Sequence, residues 1–325
     1  MRVAWVLGSG GLLGSALTRV LRDPDTVLFQ PAGHFSWRDA PALDQQLSAA
    51  VQAFTQLVGG KDHCWEIYWA AGVGTMGSAV SELAPETRAL SHFLRALESE
   101  PSLMDRKGAL ALASSAGAIY AGSTDFVIDE SSAPAPTTPY AHEKLKQEAL
   151  VRSFVDRNRK VHGLLARFST LYGPGQSIGK RQGLIASIAR SMIRKQPIQI
   201  FVPLDTIRDY ITANDAAARM VEFLRVPYTQ QGVETRLVAS EQPATIAEII
   251  SVFRTLFRRA PRIVTGSDSL GSLYLRRMQF KSIGPAGRSA AYKTSLLVGI
   301  SQVLAAERAA YASSCERREK DINVY

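Results

Sequence analysis

Short apolar segments alternate with amphipathic segments along the first half of the chain. Residues 3–7 form a continuous apolar run, as expected for a parallel strand that is buried on both faces. Similar runs predict strands over residues 26–29, 65–73 and 108–114, and apolar residues at helical spacing predict helices over residues 13–21, 41–57 and 84–98. This alternation predicts an α/β fold with a Rossmann-type doubly wound parallel sheet.

The second half of the chain continues the alternation with shorter elements. We predict helices over residues 184–195, 213–224 and 246–257, and strands over residues 198–201 and 235–239. The charged stretch from residue 317 to 325 is expected to be a solvated tail. The predicted organisation is a dinucleotide-binding domain over residues 1–170 and a smaller α/β substrate domain over residues 171–325, interleaved across residues 170–250.

A glycine-rich turn follows the first predicted strand directly. One glycine permits the tight turn, a second lets the backbone approach a pyrophosphate, and a third lets the helix pack closely on the strand. The N-terminus of the helix then offers free N–H groups and a positive dipole end to the anion. Because the turn lies at the first strand–helix junction, it predicts a dinucleotide site. The residues of this turn are Gly8, Ser9, Gly10, Gly11, Leu12, Leu13 and Gly14.

Residues at the ends of the second and third predicted strands extend this cofactor site. NAD sites usually carry an acidic residue at the end of the second strand, on the ribose 2′-hydroxyl. Gln30 stands there in this chain, and Arg38 follows a few residues later. No carboxylate opposes a 2′-phosphate, so the prediction for the cofactor is NAD or NADP with a lean toward NADP. Ala70 and Ala71, at the end of the third strand, are small enough for a cofactor to lie close.

Tyr140 and Lys144 are the candidate proton-handling groups. They are four residues apart and therefore lie on one face of a helix. Ser114 and Ser115 end the fourth predicted strand, at the carboxyl edge where active residues of such sheets lie. An ammonium beside a phenol favours the phenolate, so we expect Lys144 to lower the pKa of Tyr140 below its usual value of about 10. The phenol could then exchange a proton with a sugar or alcohol hydroxyl.

Composition and charge narrow the class of protein. The 325 residues carry a formal net charge of +9, which favours acidic partners. The sequence contains no basic block interleaved with aromatic residues, so nucleic-acid binding is not predicted. Two distant cysteines, Cys64 and Cys315, and five scattered histidines predict neither a disulfide framework nor a metal site. No stretch suits a signal peptide or a membrane span, so the expected location is the cytoplasm.

Several segments, in order along the chain, resemble the extended short-chain dehydrogenase/reductase superfamily in its NAD-dependent epimerase/dehydratase branch. That branch acts on nucleotide sugars. The segments that carry the resemblance are Gly8-x-x-Gly11-x-x-Gly14, Trp69-Ala70-Ala71, the run from Ser114 to Tyr120, Pro139-Tyr140-Ala141-His142-Glu143-Lys144, the run from Arg167 to Gln176, and Arg208-Asp209-Tyr210-Ile211.

The resemblance implies reversible hydride transfer between NAD(P) and a sugar carbinol, with Tyr140 as acid and base. It implies that Ser115 orients the substrate oxygen and that Lys144 contacts the nicotinamide ribose. A further cofactor contact is implied at Phe168. Substrate contacts are implied at Ser114, Ser115, Thr170 and Arg208, of which Arg208 would hold a diphosphate. The expected partner is a nucleotide sugar, which is a small molecule. Formation of a homodimer is left open.

Departures from the family pattern leave three activities to weigh. Ala116-Gly117 stands where family dehydratases carry Asp-Glu, which disfavours dehydration. An epimerase and a ketosugar reductase both use Ser, Tyr and Lys, and only the lean toward NADP favours the reductase. A catalytically silent NAD(P)-binding sensor or scaffold of the same fold is the alternative, against which the intact Tyr140 and Lys144 weigh.

Overall fold

The computed structural model describes residues 1–59, 63–176, 183–226, 232–266, 277–283 and 293–322, with side chains up to residue 315. The strands of this part of the chain are β1 Arg2–Leu7, β2 Thr26–Phe29, β3 Cys64–Trp69, β4 Gly108–Ser115, β5 Val161–Phe168, β6 Thr170–Tyr172, β7 Ile198–Ile200, β8 Ile207–Thr212, β9 Val233–Val238, β10 Pro243–Thr245 and β11 Ile263–Thr265. The helices are α1 Leu12–Val20, α2 Ala40–Gly59, α3 Val80–Glu98, α4 Pro101–Met104, α5 Ala116–Ile119, α6 Pro139–Arg157, α7 Leu184–Ile193, α8 Ala213–Arg225, α9 Ile246–Phe257 and α10 Leu296–Ile322.

Six of these strands form one parallel sheet in the order β2-β1-β3-β4-β5-β9. The chain starts at β1, moves outward to β2, and then crosses to the other side at β3. The order therefore reverses between β1 and β3, and ligands of doubly wound sheets bind at the carboxyl ends of the strands beside such a reversal. This architecture confirms the predicted fold class.

The apolar strand β1 is buried because helices cover both faces of this sheet. Val3, Trp5 and Leu7 belong to the core under α2, α3 and α6. Ala4 and Val6 point to the opposite face and belong to the core under α1 and α8. Alternate residues of a strand face opposite sides, so only a continuous apolar run suits this position.

The remaining strands form two small sheets, β10-β8-β6 and β11-β7. Helices α7, α9 and α10 enclose a separate core beside them, which includes Ile185, Phe253 and Ile300. Strand β9 and helix α8 lie between elements of the small sheets in sequence but pack with the large sheet. The chain thus passes from the small sheets to the large sheet and back.

Several element boundaries differ from the sequence prediction; strand β3, for example, ends at Trp69 and not at residue 73. Helix α3 begins at Val80, four residues early, because the Glu82 carboxylate accepts the Ala79 N–H at 2.9 Å and caps the first turn. The backbone of α10 stays helical to Ile322, so most of the predicted solvated tail is helix. Within the described ranges, no helix is both long and apolar enough to cross a membrane.

Candidate active site

The glycine-rich turn follows β1 and packs against the backbone just after the end of β3. Gly8 has φ +83°, and a Cβ there would lie 2.7 Å from backbone atoms of Ala70 and Ala71. A Cβ on Gly14 would overlap the Gly8 carbonyl oxygen. Gly8 therefore permits both the turn and its contact with the Ala70–Ala71 segment, while Gly14 lets helix α1 approach the strand.

The N-terminus of α1 is open to an anion. Its N-cap residue, Gly11, supplies no side-chain cap, and the first turn carries no acidic residue. Gly10 and Gly11 are exposed, and a Cβ on Gly10 would meet no atom within 4 Å. Free N–H groups on an unobstructed backbone, at the order reversal of the sheet, fit the pyrophosphate of a dinucleotide.

The other predicted cofactor residues lie along the same edge of the sheet. Gln30 directly follows β2, and both Gln30 and Arg38 have exposed side chains. Phe168 pairs in register with Ser115 at the ends of β5 and β4. The Phe168 side chain is 3% exposed and belongs to the core, so a cofactor contact at this residue is confined to its backbone.

Tyr140 and Ser115 come together at the carboxyl end of β4. The Thr138 hydroxyl accepts the Ala141 N–H at 3.2 Å, which caps α6 and fixes Tyr140 in its first turn. Ser115 caps the short helix α5, where its Oγ accepts the Ala118 N–H at 3.3 Å. The Ser115 hydroxyl lies close enough to the Tyr140 phenol to lower its pKa. The partly buried ring of Tyr140 packs against a small cluster formed by Met76, Ala118, Ala121 and Ala141.

The prediction that Lys144 lowers the pKa of Tyr140 is wrong in this structure. The Lys144 Nζ lies 5.7 Å from the centroid of the Tyr140 ring and donates to Gln147 Oε1 at 3.0 Å and to the Ala113 carbonyl oxygen at 3.4 Å. Burial, and then the Glu86 carboxylate, raise the pKa of Tyr140, and the nearby Ser115 hydroxyl only partly opposes them. The phenol therefore holds its proton at neutral pH.

Lys144 is itself buried, and burial lowers the pKa of its ammonium, although Glu86 and Glu148 act in the opposite direction. Sequence reasoning missed Glu86 and Gln147, which are neighbours of the two candidate catalytic side chains. Gln147 lies on α6 one turn after Lys144, so the helical spacing could have indicated it. Glu86 comes from another helix, and no signal in the sequence pointed to it.

Ser114 does not join this site. Its Oγ donates to Glu148 Oε1 at 2.6 Å, and Glu148 forms a buried pair with Arg167 through bonds of 2.9 and 2.7 Å. Successive residues of a strand point to opposite faces of the sheet. Because the Ser114 side chain faces this ion pair, the Ser115 side chain faces the candidate site. Of the two predicted serine hydroxyls, only that of Ser115 faces the candidate site.

The predicted substrate residues Thr170 and Arg208 lie on adjacent strands of a small sheet. Thr170 is exposed and pairs in register with Tyr210, two residues after Arg208. An isolated bridge brings the backbone of Arg277 against Ile207, next to Arg208. The Arg277 guanidinium lies 3.6 Å from the centroid of the Phe126 ring. The backbone of Arg277 thus lies beside the segment that carries Arg208, and the sequence prediction had included only Arg208.

The neighbouring acidic residue, Asp209, has a structural role. It is 1% exposed and accepts hydrogen bonds from the Ser169 hydroxyl at 2.6 Å and the Ser240 N–H at 2.8 Å. These bonds tie β8 to the segments that follow β5 and β9, so they fix Arg208 relative to the large sheet. Among the described residues, no group of three or more His, Cys, Asp and Glu side chains could hold a metal ion.

Comparison with known proteins agrees with this fold. The model of the NAD dependent epimerase/dehydratase family matches residues 4–235, and the chain belongs to this family. The dTDP-4-dehydro-6-deoxyglucose reductase of Escherichia coli is 32% identical over 103 residues, which are 32% of this chain and 32% of the reductase. The chain matches a third or less of the length of its curated relatives.

Solved structures resemble the chain over almost its whole length. The UDP-glucose 4-epimerase of Thermus thermophilus, in complex with NAD, has a TM-score of 0.74 at 18% identity, covering 95% of this chain and 99% of that one. RMD from Pseudomonas aeruginosa, complexed with NADPH, has a TM-score of 0.70 at 19% identity, covering 94% and 99%. At these identities the likeness shows the fold.

Proposed function

We propose that the protein transfers hydride reversibly between NAD(P) and a carbinol carbon of a nucleotide sugar, as a ketosugar reductase or an epimerase. The observation that carries this proposal is that Tyr140, Ser115 and Lys144 lie together at the edge of the sheet that holds the glycine-rich turn. The glycine-rich turn and the Tyr140 site are joined by one loop. Gly8 contacts Ala70 and Ala71, and the loop that follows these two residues reaches the Tyr140 ring at Gly74. The family match supports the same reaction class.

Each side chain has a defined task in this reaction. Tyr140 gives a proton to the carbonyl oxygen during reduction and takes it from the hydroxyl during oxidation, and Ser115 orients that oxygen by a hydrogen bond. In the proposed reaction, Lys144 contacts the nicotinamide ribose. NAD(P), when bound, supplies or accepts the hydride, and the cationic ring of its oxidised form favours the phenolate. The raised pKa of Tyr140 suits a proton donor in the reduction step, which both candidate activities include.

The nucleotide sugar is proposed from the two arginines and from the relatives. Arg208 and Arg277 carry planar, permanently charged groups that suit the diphosphate of such a substrate. The exposed hydroxyl of Thr170 lies on the strand beside Arg208 and could bind the sugar. The names of the E. coli reductase and the Thermus epimerase both refer to nucleotide sugars.

Incubation with a panel of UDP- and dTDP-linked sugars and 4-keto sugars, with NAD and NADP in parallel, tests the proposal. Absorbance of the reduced cofactor and the identity of the product are followed together. A net change in reduced cofactor with a ketosugar identifies a reductase, and a change in product configuration without net cofactor consumption identifies an epimerase. Cofactor binding without turnover of any sugar would contradict the proposal and favour the silent binding protein.

Cofactor choice follows from the residues at the end of β2. NADP is expected to bind at least as tightly as NAD, because Gln30 neither accepts hydrogen bonds as a carboxylate would nor repels a 2′-phosphate, and Arg38 lies in the same exposed loop. Gln30→Asp should shift the ratio of the two dissociation constants toward NAD by about tenfold or more. Calorimetric titration of both cofactors measures this ratio.

Gln52→Asp is the matched control, since it adds the same charge on an exposed position of α2. It should leave the ratio of dissociation constants unchanged. A clear preference of the wild-type protein for NAD would show that the missing carboxylate has no bearing on cofactor choice, and it would move weight from the reductase to the epimerase.

A further inference from the structure

Glu86, on helix α3, binds the loop of residues 72–74 that follows strand β3. Its Oε1 accepts the N–H groups of Val73 at 2.6 Å and of Gly74 at 2.8 Å. Hydrogen bonds to an ionised acceptor are shorter and stronger than bonds between neutral groups. Two such bonds on one oxygen fix the backbone of this loop against α3.

The glycines of this loop let it lie between Glu86 and Tyr140. Gly72 has φ +154°, and a Cβ there would lie 2.9 Å from Glu86 Oε2. A Cβ on Gly74 would lie 3.4 Å from Tyr140 Cδ2 and 3.5 Å from Glu86 Oε1, and it would overlap the side chain of Leu83. The Gly74 backbone is therefore the layer that separates the carboxylate from the phenol ring.

The next residue of α3, Thr87, reaches the other candidate catalytic side chain. Lys144 Nζ donates to Gln147 Oε1 at 3.0 Å, and Gln147 Nε2 donates to Thr87 Oγ1 at 3.3 Å. Thr87 Oγ1 in turn donates to Glu143 Oε2 at 2.7 Å. Consecutive residues of one helix thus support both Tyr140 and Lys144.

The charged and polar groups around the phenol come from three elements. Glu86 faces it from α3, Ser115 from the end of β4, and Lys144 from α6. Burial is the largest cause of the raised pKa of Tyr140, and the Glu86 carboxylate is the second. Glu86 and Glu148 also raise the pKa of Lys144, which burial lowers. A negative charge here favours the proton-bearing form of both groups.

We propose that Glu86 is a positioning residue for the acid–base pair: it holds loop 72–74 against the Tyr140 ring and keeps a negative charge beside the phenol and the ammonium. This inference rests on the proposed function, in which Tyr140 transfers the proton. Glu86 contacts the backbone of the loop, so it acts through the loop and through its charge.

Two substitutions separate these effects. Glu86→Gln keeps a side-chain acceptor for the loop and removes the charge, whereas Glu86→Ala removes both. Glu82→Gln, one turn earlier on α3, is the control, because Gln can replace Glu where it accepts the Ala79 N–H. All three variants are made in the full chain and compared by thermal melts.

The first readout is the pH dependence of alcohol oxidation, on whichever sugar the panel identifies. Oxidation needs the phenolate, so the rate rises with pH through the pKa of Tyr140. Without the Glu86 charge the phenolate forms more easily, and in Glu86→Gln this rise should move to lower pH by about one pH unit. Glu82→Gln should keep the wild-type profile. A purely structural role for Glu86 would lower the rate without moving the profile.

The second readout needs no substrate. Amide hydrogen exchange at Val73 and Gly74 should accelerate by about tenfold or more in Glu86→Ala, the factor expected for loss of a hydrogen bond to a charged group. Unchanged exchange, or an unmoved pH profile in Glu86→Gln, would overturn the positioning role and leave the proposed function standing. Wild-type turnover in Tyr140→Phe would instead overturn the proposed function, while the exchange result still decides whether Glu86 holds the loop.

Discussion

Tyr140→Phe is expected to reduce turnover by about 10²–10⁴-fold, the usual loss when one acid–base group is removed. The substitution deletes only the hydroxyl that lies near Ser115, and the ring that packs against the cluster around Met76 remains. Affinity for NAD(P) should therefore stay nearly unchanged, because the glycine-rich turn and Lys144 are intact. Steady-state kinetics with the identified sugar and calorimetric titration of the cofactor measure the two quantities.

Tyr311→Phe serves as the control for the loss of a tyrosine hydroxyl, since Tyr311 is 42% exposed on α10. It should leave turnover at the wild-type level. If Tyr140→Phe turned over as fast as this control, another group would have to carry the proton. A parallel loss of cofactor affinity and turnover would show instead that Tyr140 acts mainly in binding.

The parts of the fold that sequence could predict are those governed by local patterns. The apolar run of β1 predicted a doubly buried strand because both of its faces had to be apolar, and the large sheet confirms this. Gly14 was predicted because its role depends on the backbone of Gly8, only six residues away, whereas the contact of Gly8 with Ala70 and Ala71 joins distant segments. The spacing of Tyr140 and Lys144 likewise follows from helix geometry alone.

The parts that failed depend on contacts between distant segments. The pKa of Tyr140 was predicted from Lys144 on the same helix, but the decisive effects are burial and Glu86, which lies on another helix. The alternation of β4 implied that Ser114 and Ser115 face opposite sides, but only the positions of Glu148 and Tyr140 show which side is which. The backbone of Arg277 pairs with Ile207 through an isolated bridge that no sequence period encodes.

Arg167→Met is expected to destabilise the folded protein by about 3–5 kcal/mol, since it leaves a buried carboxylate without its cation. The side chains of Arg167 and Glu148 are only 7% and 3% exposed. Arg167 makes two bonds to Glu148 and donates to the Tyr120 hydroxyl at 2.5 Å. Met fills much of the space but supplies no donor, so Glu148 would retain only the Ser114 hydroxyl among these partners.

The exposed pair of Arg157 and Glu98 provides the matched control, at 2.8 Å with side chains 56% and 26% exposed. Arg157→Met should cost at most about 1 kcal/mol, because water solvates the remaining carboxylate. Urea unfolding followed by the fluorescence of buried tryptophans measures both variants. Equal losses of stability in Arg167→Met and Arg157→Met would mean that Glu148 is not desolvated.

The double variant Arg167→Met/Glu148→Met should regain much of the stability, because the penalty arises from the unpaired charge and disappears with it.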